Sequence, residues 1–98
     1  MSDDQSRAIP ESFIAVHADE RGRSRLRLTD LRERHELCDD LAHALVERVR
    51  ELQHALGVDE AGVVARVSQG LADPAAGLLP GEADWVRTRL LELLASTW

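Results

Sequence analysis

Hydrophobic residues recur with helical spacing along one long stretch of the chain, DLRERHELCDDLAHALVERVRELQHAL, residues 30–56. Steps of seven residues separate Leu31, Cys38, Leu45 and Leu52, and a second set follows four residues after each: His35, Ala42, Val49 and Leu56. Alternating steps of three and four residues mark one face of an α-helix. Leu37 and Leu41 widen this face on one side and Val46 on the other. We therefore predict a long central helix whose apolar face is wider than one neighbouring helix covers.

Capping residues predict where this helix begins and ends. Asp30 can accept hydrogen bonds from the amides of the first turn while Glu33 reaches back, and Thr29 is a second candidate cap. Gly57 is expected to end the helix in the left-handed conformation.

The segment before the central helix has two interpretations. Ile9, Phe13 and Val16 have helical spacing behind Pro10, which suits a first helical position, so a short helix over residues 10–18 is predicted. A β-hairpin over residues 12–28, with Gly22 in its turn, is the alternative. We favour the helix because an isolated two-stranded hairpin is marginally stable and no further strands follow.

Two further helices are predicted after the central one. Asp59 is a cap for a helix over residues 60–69 that Gly70 closes, and the last helix covers residues 81–96. Between them, Asp73 and Pro74 can start a single helical turn. The chain is thus predicted to be all-α: a small helical bundle organised on the central helix, with a disordered tail at residues 1–8 and a single domain over residues 9–98.

Composition excludes several classes of function. The chain has 98 residues and a net charge of −6, which argues against nucleic acid as the default partner of the whole surface. All 12 basic residues are arginine, so a Walker-type lysine, a Schiff-base lysine and a serine-lysine pair are ruled out. One cysteine excludes an internal disulfide. No signal peptide or membrane-length apolar run is visible, and a cytoplasmic location is expected.

Positive charge is concentrated in residues 21–34, which contain six arginines and only two acidic residues, Asp30 and Glu33. The net charge of this segment is +4, and that of the remaining chain is −10. Four of these are candidates for contact with an anion: Arg21, Arg23, Arg25 and Arg27. The segment could equally pair with the protein's own acidic surface, and it has no interleaved aromatic residue for base stacking.

Four side chains on the central helix have spacing that could suit a metal: His35, Cys38, Asp39 and His43. A zinc ion would need a further ligand, and neither CxxC nor HExxH spacing is present. The other interpretation is that Cys38 is a small buried residue with the polar side chains bordering the core in solvent. Cys38 also lies at the centre of the apolar face, where a thiol is usually inert. We predict no metal, no cofactor and no catalytic group.

The remaining polar and aromatic residues have mostly structural interpretations. Asp39 and Asp40, like Glu82, Asp84 and Glu92, are interpreted as solvated faces. Four residues are candidates for a protein interface: Leu37, Leu41, Trp85 and Trp98. Tryptophan often anchors interfaces, although Trp85 also fits a core position.

Three strings resemble a group of small uncharacterised bacterial proteins, chiefly proteobacterial: IPESFIAV, ELCDDLA and EADWVRTRLLELL. They cover most of the chain in order. The resemblance implies a small α-helical protein, and some members carry the label "ATPase with chaperone activity", which implies nucleotide hydrolysis.

For function, the leading hypothesis is a non-catalytic protein-interaction or regulatory module that self-associates as a homodimer through the long helix. This hypothesis is based on the wide apolar face of the central helix and on the absence of a catalytic residue pattern. Nucleic-acid contact through the arginine segment is the alternative, and a metal-dependent activity is third.

Overall fold

Helices form almost all of the ordered elements in this computed structural model, which describes residues 9–96. Their order is α1 (Glu11–Val16), α2 (Leu28–Leu56), α3 (Glu60–Ala72), a single 3-10 turn (Pro74–Ala76) and α4 (Glu82–Ser96). The all-α class and the long central helix are confirmed. The predictions for residues 1–8 and Trp98 lie outside the described residues.

The heptad pattern of α2 accounts for the core. Leu31, Cys38, Ala42 and Val49 are buried, and Leu45 is half-buried. Two clusters of side chains lie along the helix. The first contains Phe13, Leu31, Cys38, Ala42, Leu71, Trp85 and Val86, and the second contains Val46, Val49, Val63, Val64, Leu90 and Leu94. Leu45 of α2, Val67 of α3 and Leu93 of α4 each pack against both clusters, so all three helices join them.

Helix α2 begins earlier than its capping pattern indicates, and the prediction of Asp30 or Thr29 as the cap is wrong. The helix starts at Leu28, and the preceding Arg27 makes no side-chain capping hydrogen bond. Just before it, Leu26 packs against the first cluster and its amide donates to Ser24 Oγ (3.1 Å). This anchoring fixes the direction in which the chain enters the helix. The other end is as predicted, since Gly57 is left-handed with φ 67°.

The connection between α1 and α2 is a loop, and the hairpin alternative is wrong. Between Val16 and Leu28 the described chain contains only an isolated antiparallel bridge, Ala18 with Ser24. Gly22 does occupy the turn, with φ 81°. A short helix followed by a tight turn thus occupies the segment that the pattern left ambiguous.

Helix α3 continues beyond the predicted stop at Gly70 to Ala72. Glycine inside a helix costs about 1 kcal/mol relative to alanine. Leu71 is buried in the first cluster, and burying a leucine side chain gains roughly 1.5–3 kcal/mol, which offsets that cost. Asp59 caps the helix as predicted by accepting from the Gly62 amide (2.9 Å).

Candidate functional site: an acidic groove above a buried ion cluster

A buried carboxylate links three elements at one end of the bundle. Glu82, the first residue of α4, has no solvent exposure. Its Oε2 lies 2.8 Å from His17 Nε2, just after α1, and accepts from Arg34 Nε of α2 at 3.1 Å. Its Oε1 accepts from Arg34 Nη2 and from the Leu79 amide, the latter at 2.8 Å. The sequence interpretation of Glu82 as part of a solvated face is therefore wrong.

Hydrogen bonding keeps this carboxylate charged. Burial by itself raises the pKa of Glu82, but the hydrogen bonds from Arg34, the Leu79 amide and His17 outweigh burial and hold the pKa below its usual range. The same hydrogen bond to Glu82 raises the pKa of Arg34. Arg34 also donates from Nη2 to the Gly77 carbonyl (3.1 Å). The cluster is a structural tie between α1, α2, α4 and the segment before α4.

Four rings fix the position of α1 against α2 and α4. Phe13 lies 5.1 Å from Trp85 and 5.4 Å from His35 between ring centroids, and His35 lies 5.6 Å from Trp85. His17 completes the set at 5.3 Å from Phe13. The indole Nε1 of Trp85 donates to Ser12 Oγ on α1 (2.9 Å). The edge-to-face contact of Phe13 with Trp85 adds about 0.5–1.5 kcal/mol beyond area burial, and with the Phe13–His35 contact it holds α1 against α4 and α2.

A groove of about 960 Å³ lies between α1, α2 and α4 on the solvent side of these rings. Its walls and floor include side chains without a permanent charge from all three helices and their flanks: Pro10, Ser12, Val16, His35, Trp85 and Thr88. Its charged lining consists of Arg32, Glu36, Asp39, Asp40, Asp84, Arg89 and Glu92. Five carboxylates against two guanidinium groups give a balance of −3. We call this feature the acidic groove.

Only part of this negative charge is neutralised within the described chain. Arg89 donates from Nε to Asp39 Oδ1 (3.0 Å) and from Nη1 to Glu92 Oε1 (3.3 Å). The hydrogen bond to Asp39 raises the pKa of Arg89. Asp39, which the sequence analysis placed in solvent, thus has a partner across the groove. Among residues 9–96, Glu36, Asp40 and Asp84 have no ion-pair partner, and neither does Arg32; together with the single negative charge left over from the two pairs of Arg89, they make up the balance of −3.

The four metal candidates are not brought together. His35 belongs to the ring contacts, Asp39 to the pair with Arg89, and Cys38 is fully buried. His43 Nδ1 lies 2.8 Å from the backbone carbonyl of Asp39 and 3.6 Å from its carboxylate. Within residues 9–96 no group of three or more His, Cys, Asp or Glu side chains could hold a metal ion. Burial raises the pKa of the Cys38 thiol to about 12, so this thiol lacks the thiolate that a nucleophile requires.

The residues that were predicted to form a protein interface differ in how far they are exposed to solvent. Trp85 is buried in the first cluster, the core position that its sequence pattern also fits, and it lines the acidic groove. Leu41 is half-buried and packs against the same cluster, while Leu37 is 48% exposed. The four anion candidates, Arg21, Arg23, Arg25 and Arg27, are all exposed and form no ion pair with the described chain. Nucleic-acid contact through them stays a prediction.

Sequence reasoning missed His17 and the roles of Arg34 and Glu82. His17 and Glu82 are 65 positions apart, and Arg34 and Glu82 are 48 apart. No local pattern marks such residues, because a charged side chain near a helix terminus is most often solvated. Arg34 was grouped with the arginine-rich segment for the same reason.

Comparisons with protein families, with curated proteins and with solved structures find no match to this chain. The resemblance to small proteobacterial proteins therefore stays a prediction. Among residues 9–96 no helix is long and apolar enough to cross a membrane.

Proposed function

We propose that this protein is a non-catalytic protein-interaction module whose acidic groove receives a cationic segment of a polypeptide. One observation carries the proposal: a groove of about 960 Å³ is lined by three carboxylates without an ion-pair partner, Glu36, Asp40 and Asp84. Bound arginine or lysine side chains would supply counter-charges beyond the one that Arg32 carries. The uncharged lining offers surface to the apolar parts of such a segment.

The groove is supported on all sides before any partner binds. The ring contacts and the Trp85–Ser12 hydrogen bond hold α1, and the Glu82 cluster holds the start of α4 against α2. A preformed groove avoids the cost of ordering side chains and loops on binding. This rigidity favours a recognition site for an extended or helical segment.

The groove is a better candidate than the apolar face of α2, on which the sequence hypothesis of self-association relied. Leu28, Leu37 and Leu56 are the large exposed hydrophobic residues of that helix. At 100° per residue Leu28 and Leu37 point in opposite directions, and Leu56 lies roughly 28 Å further along than Leu37. They form no continuous patch, whereas stable interfaces bury about 800 Å² on each partner. Self-association therefore needs another surface.

Fluorescence anisotropy with a labelled nine-residue peptide that contains four arginines tests the proposal. Replacing Glu36 with Gln and Asp40 with Asn in the protein should weaken binding about two- to thirty-fold, since exposed ion pairs contribute roughly 0.2–1 kcal/mol each. The matched control replaces Glu47 and Glu51 with Gln, which removes the same charge from α2 outside the groove. The control protein should bind like the original.

Two results would contradict the proposal. Equal loss of binding in the groove and control proteins would show that only net charge attracts the peptide. Undiminished binding of a peptide whose arginines are replaced by glutamine would show that cationic groups are not what is recognised.

A further inference from the structure

The loop between α1 and α2 presents arginines on a fixed turn. Asp19 Oδ1 accepts from the amides of Arg21 and Arg23, both at 2.9 Å, and the Asp19 amide donates to the Arg23 carbonyl at 2.7 Å. The Arg25 amide donates to the His17 carbonyl at 2.7 Å. We call residues 19–27 the arginine loop. Its backbone is ordered, while the guanidinium groups of Arg21, Arg23, Arg25 and Arg27 have no ion-pair partner in the described chain.

The charges of the arginine loop complement those of the acidic groove. Four guanidinium groups against the carboxylates of Asp19 and Glu20 give the loop a balance of +2, and the groove lining has a balance of −3. Asp19 is already occupied by backbone amides. The loop thus has an excess of positive charge and the groove an excess of negative charge, and one chain contains both.

The loop does not enter the groove of its own chain. No residue of the arginine loop lines the groove, and no ion pair joins the two within residues 9–96. The turn closes back on itself through the Ala18–Ser24 bridge, directly after α1. In the described structure the loop therefore leaves the groove of its own chain open.

The loop and the groove are nevertheless adjacent, because Val16, the last residue of α1, lines the groove three positions before the loop begins. A two-fold axis near that end would place each loop at the groove of the other copy. Such an arrangement is closed and makes the same contact twice, as in most homodimers. We propose that two copies of this chain associate reciprocally, with the arginine loop of each seated in the acidic groove of the other. The inference rests on the proposed function and names the segment that the groove binds.

Charge exchange tests this contact by analytical ultracentrifugation. One protein carries Arg23→Glu and Arg25→Glu, and a second carries Glu36→Arg and Asp40→Arg. All four side chains are exposed, and circular dichroism checks that helix content is kept. Each variant alone juxtaposes like charges, so its dimer dissociation constant should rise at least about a hundredfold.

Mixing the two variants should restore association. The unchanged loop of the second protein meets the unchanged groove of the first, and the reversed loop of the first meets the reversed groove of the second. A heterodimer should form in the mixture, and a chain that carries all four changes should dimerise with itself. The dimer of the original chain should weaken when salt rises from about 50 mM to 500 mM, since exposed charges are screened.

Each outcome has one interpretation. An original chain that stays monomeric at low salt, or a mixture that fails to associate, overturns the reciprocal dimer. A dimer that persists in both single variants also overturns it, because the interface then lies elsewhere. The proposed function fails separately, when the arginine peptide does not bind the unchanged groove of the monomeric Arg23→Glu, Arg25→Glu variant.

Discussion

Glu82 is a carboxylate without solvent exposure, and an isolated acid in such a place would take up a proton because desolvation disfavours its charge. The surrounding donors reverse that tendency, and Arg34 is the only one with a permanent charge. Removing one partner of a buried ion pair is costly because the other charge remains unpaired. A substitution that removes the charge of either Glu82 or Arg34 should therefore destabilise the fold.

Glu82→Gln should destabilise the protein by about 3 kcal/mol, the lower end of the range for broken buried pairs, because Arg34 keeps 24% side-chain exposure and some access to water. Urea unfolding followed by circular dichroism measures the change. Asp84→Asn in the same helical turn is the control, since Asp84 is exposed and unpaired within the described chain, and should cost no more than about 1 kcal/mol. Equal losses would mean that the Glu82 charge does not stabilise the fold.

Leu45 and Asp39 provide a second comparison at the residue scale. Leu45→Ala should cost about 2 kcal/mol, the low end for leucine, because the side chain packs on both clusters but is only half-buried. Asp39→Ala should cost about 1 kcal/mol through the loss of the Arg89 pair, which is partly solvated. The midpoints of urea unfolding of the two variants show which substitution destabilises the protein more. A larger loss for Asp39→Ala would show that the pair across the groove contributes more than packing at the centre of α2.

At the scale of elements, the sequence predicted those features of each helix that depend on residues close together in the chain. The seven-residue pattern identified α2 and most of its buried face, and Asp59 and Gly57 marked true helix ends. The errors occurred where distant residues intervene. Burial of Leu71 in the first cluster extends α3 beyond Gly70. Packing of Leu26 against the same cluster makes α2 begin before the predicted capping residues. The groove itself was not predicted, because its walls come from three helices whose packing the pattern of one helix does not contain.

The glycines of α3 give a prediction at this scale. Gly70 lies within the helix, is exposed, and a Cβ atom there would meet nothing within 4 Å, so Gly70→Ala should stabilise the protein by about 0.5–1 kcal/mol. At Gly62 a Cβ atom would lie 2.9 Å from Asp59 Oδ1, the oxygen that caps the helix. Gly62→Ala should therefore gain less or destabilise. Thermal unfolding of both variants checks the contrast, and an equal gain at both sites would contradict it.

At the scale of the whole molecule, the same buried cluster predicts how stability depends on pH. The pKa of Glu82 is lower in the folded chain than in the unfolded chain, so its contribution to stability is complete above the unfolded value, about 4.3. Acidification through that value and toward the folded pKa removes the contribution, because the unfolded chain takes up the proton first. Stability should consequently fall below about pH 4.3.

Other carboxylates also titrate in this range, so the difference between two proteins isolates Glu82. The free energy of unfolding of the original chain should exceed that of Glu82→Gln at about pH 5.5, and the difference should shrink steadily as pH falls below about 4.3. Urea unfolding at each pH measures both proteins. A difference that stays constant down to about pH 2.5 would mean that the glutamine variant is weakened by altered packing and that the charge of Glu82 contributes nothing to the stability of the bundle.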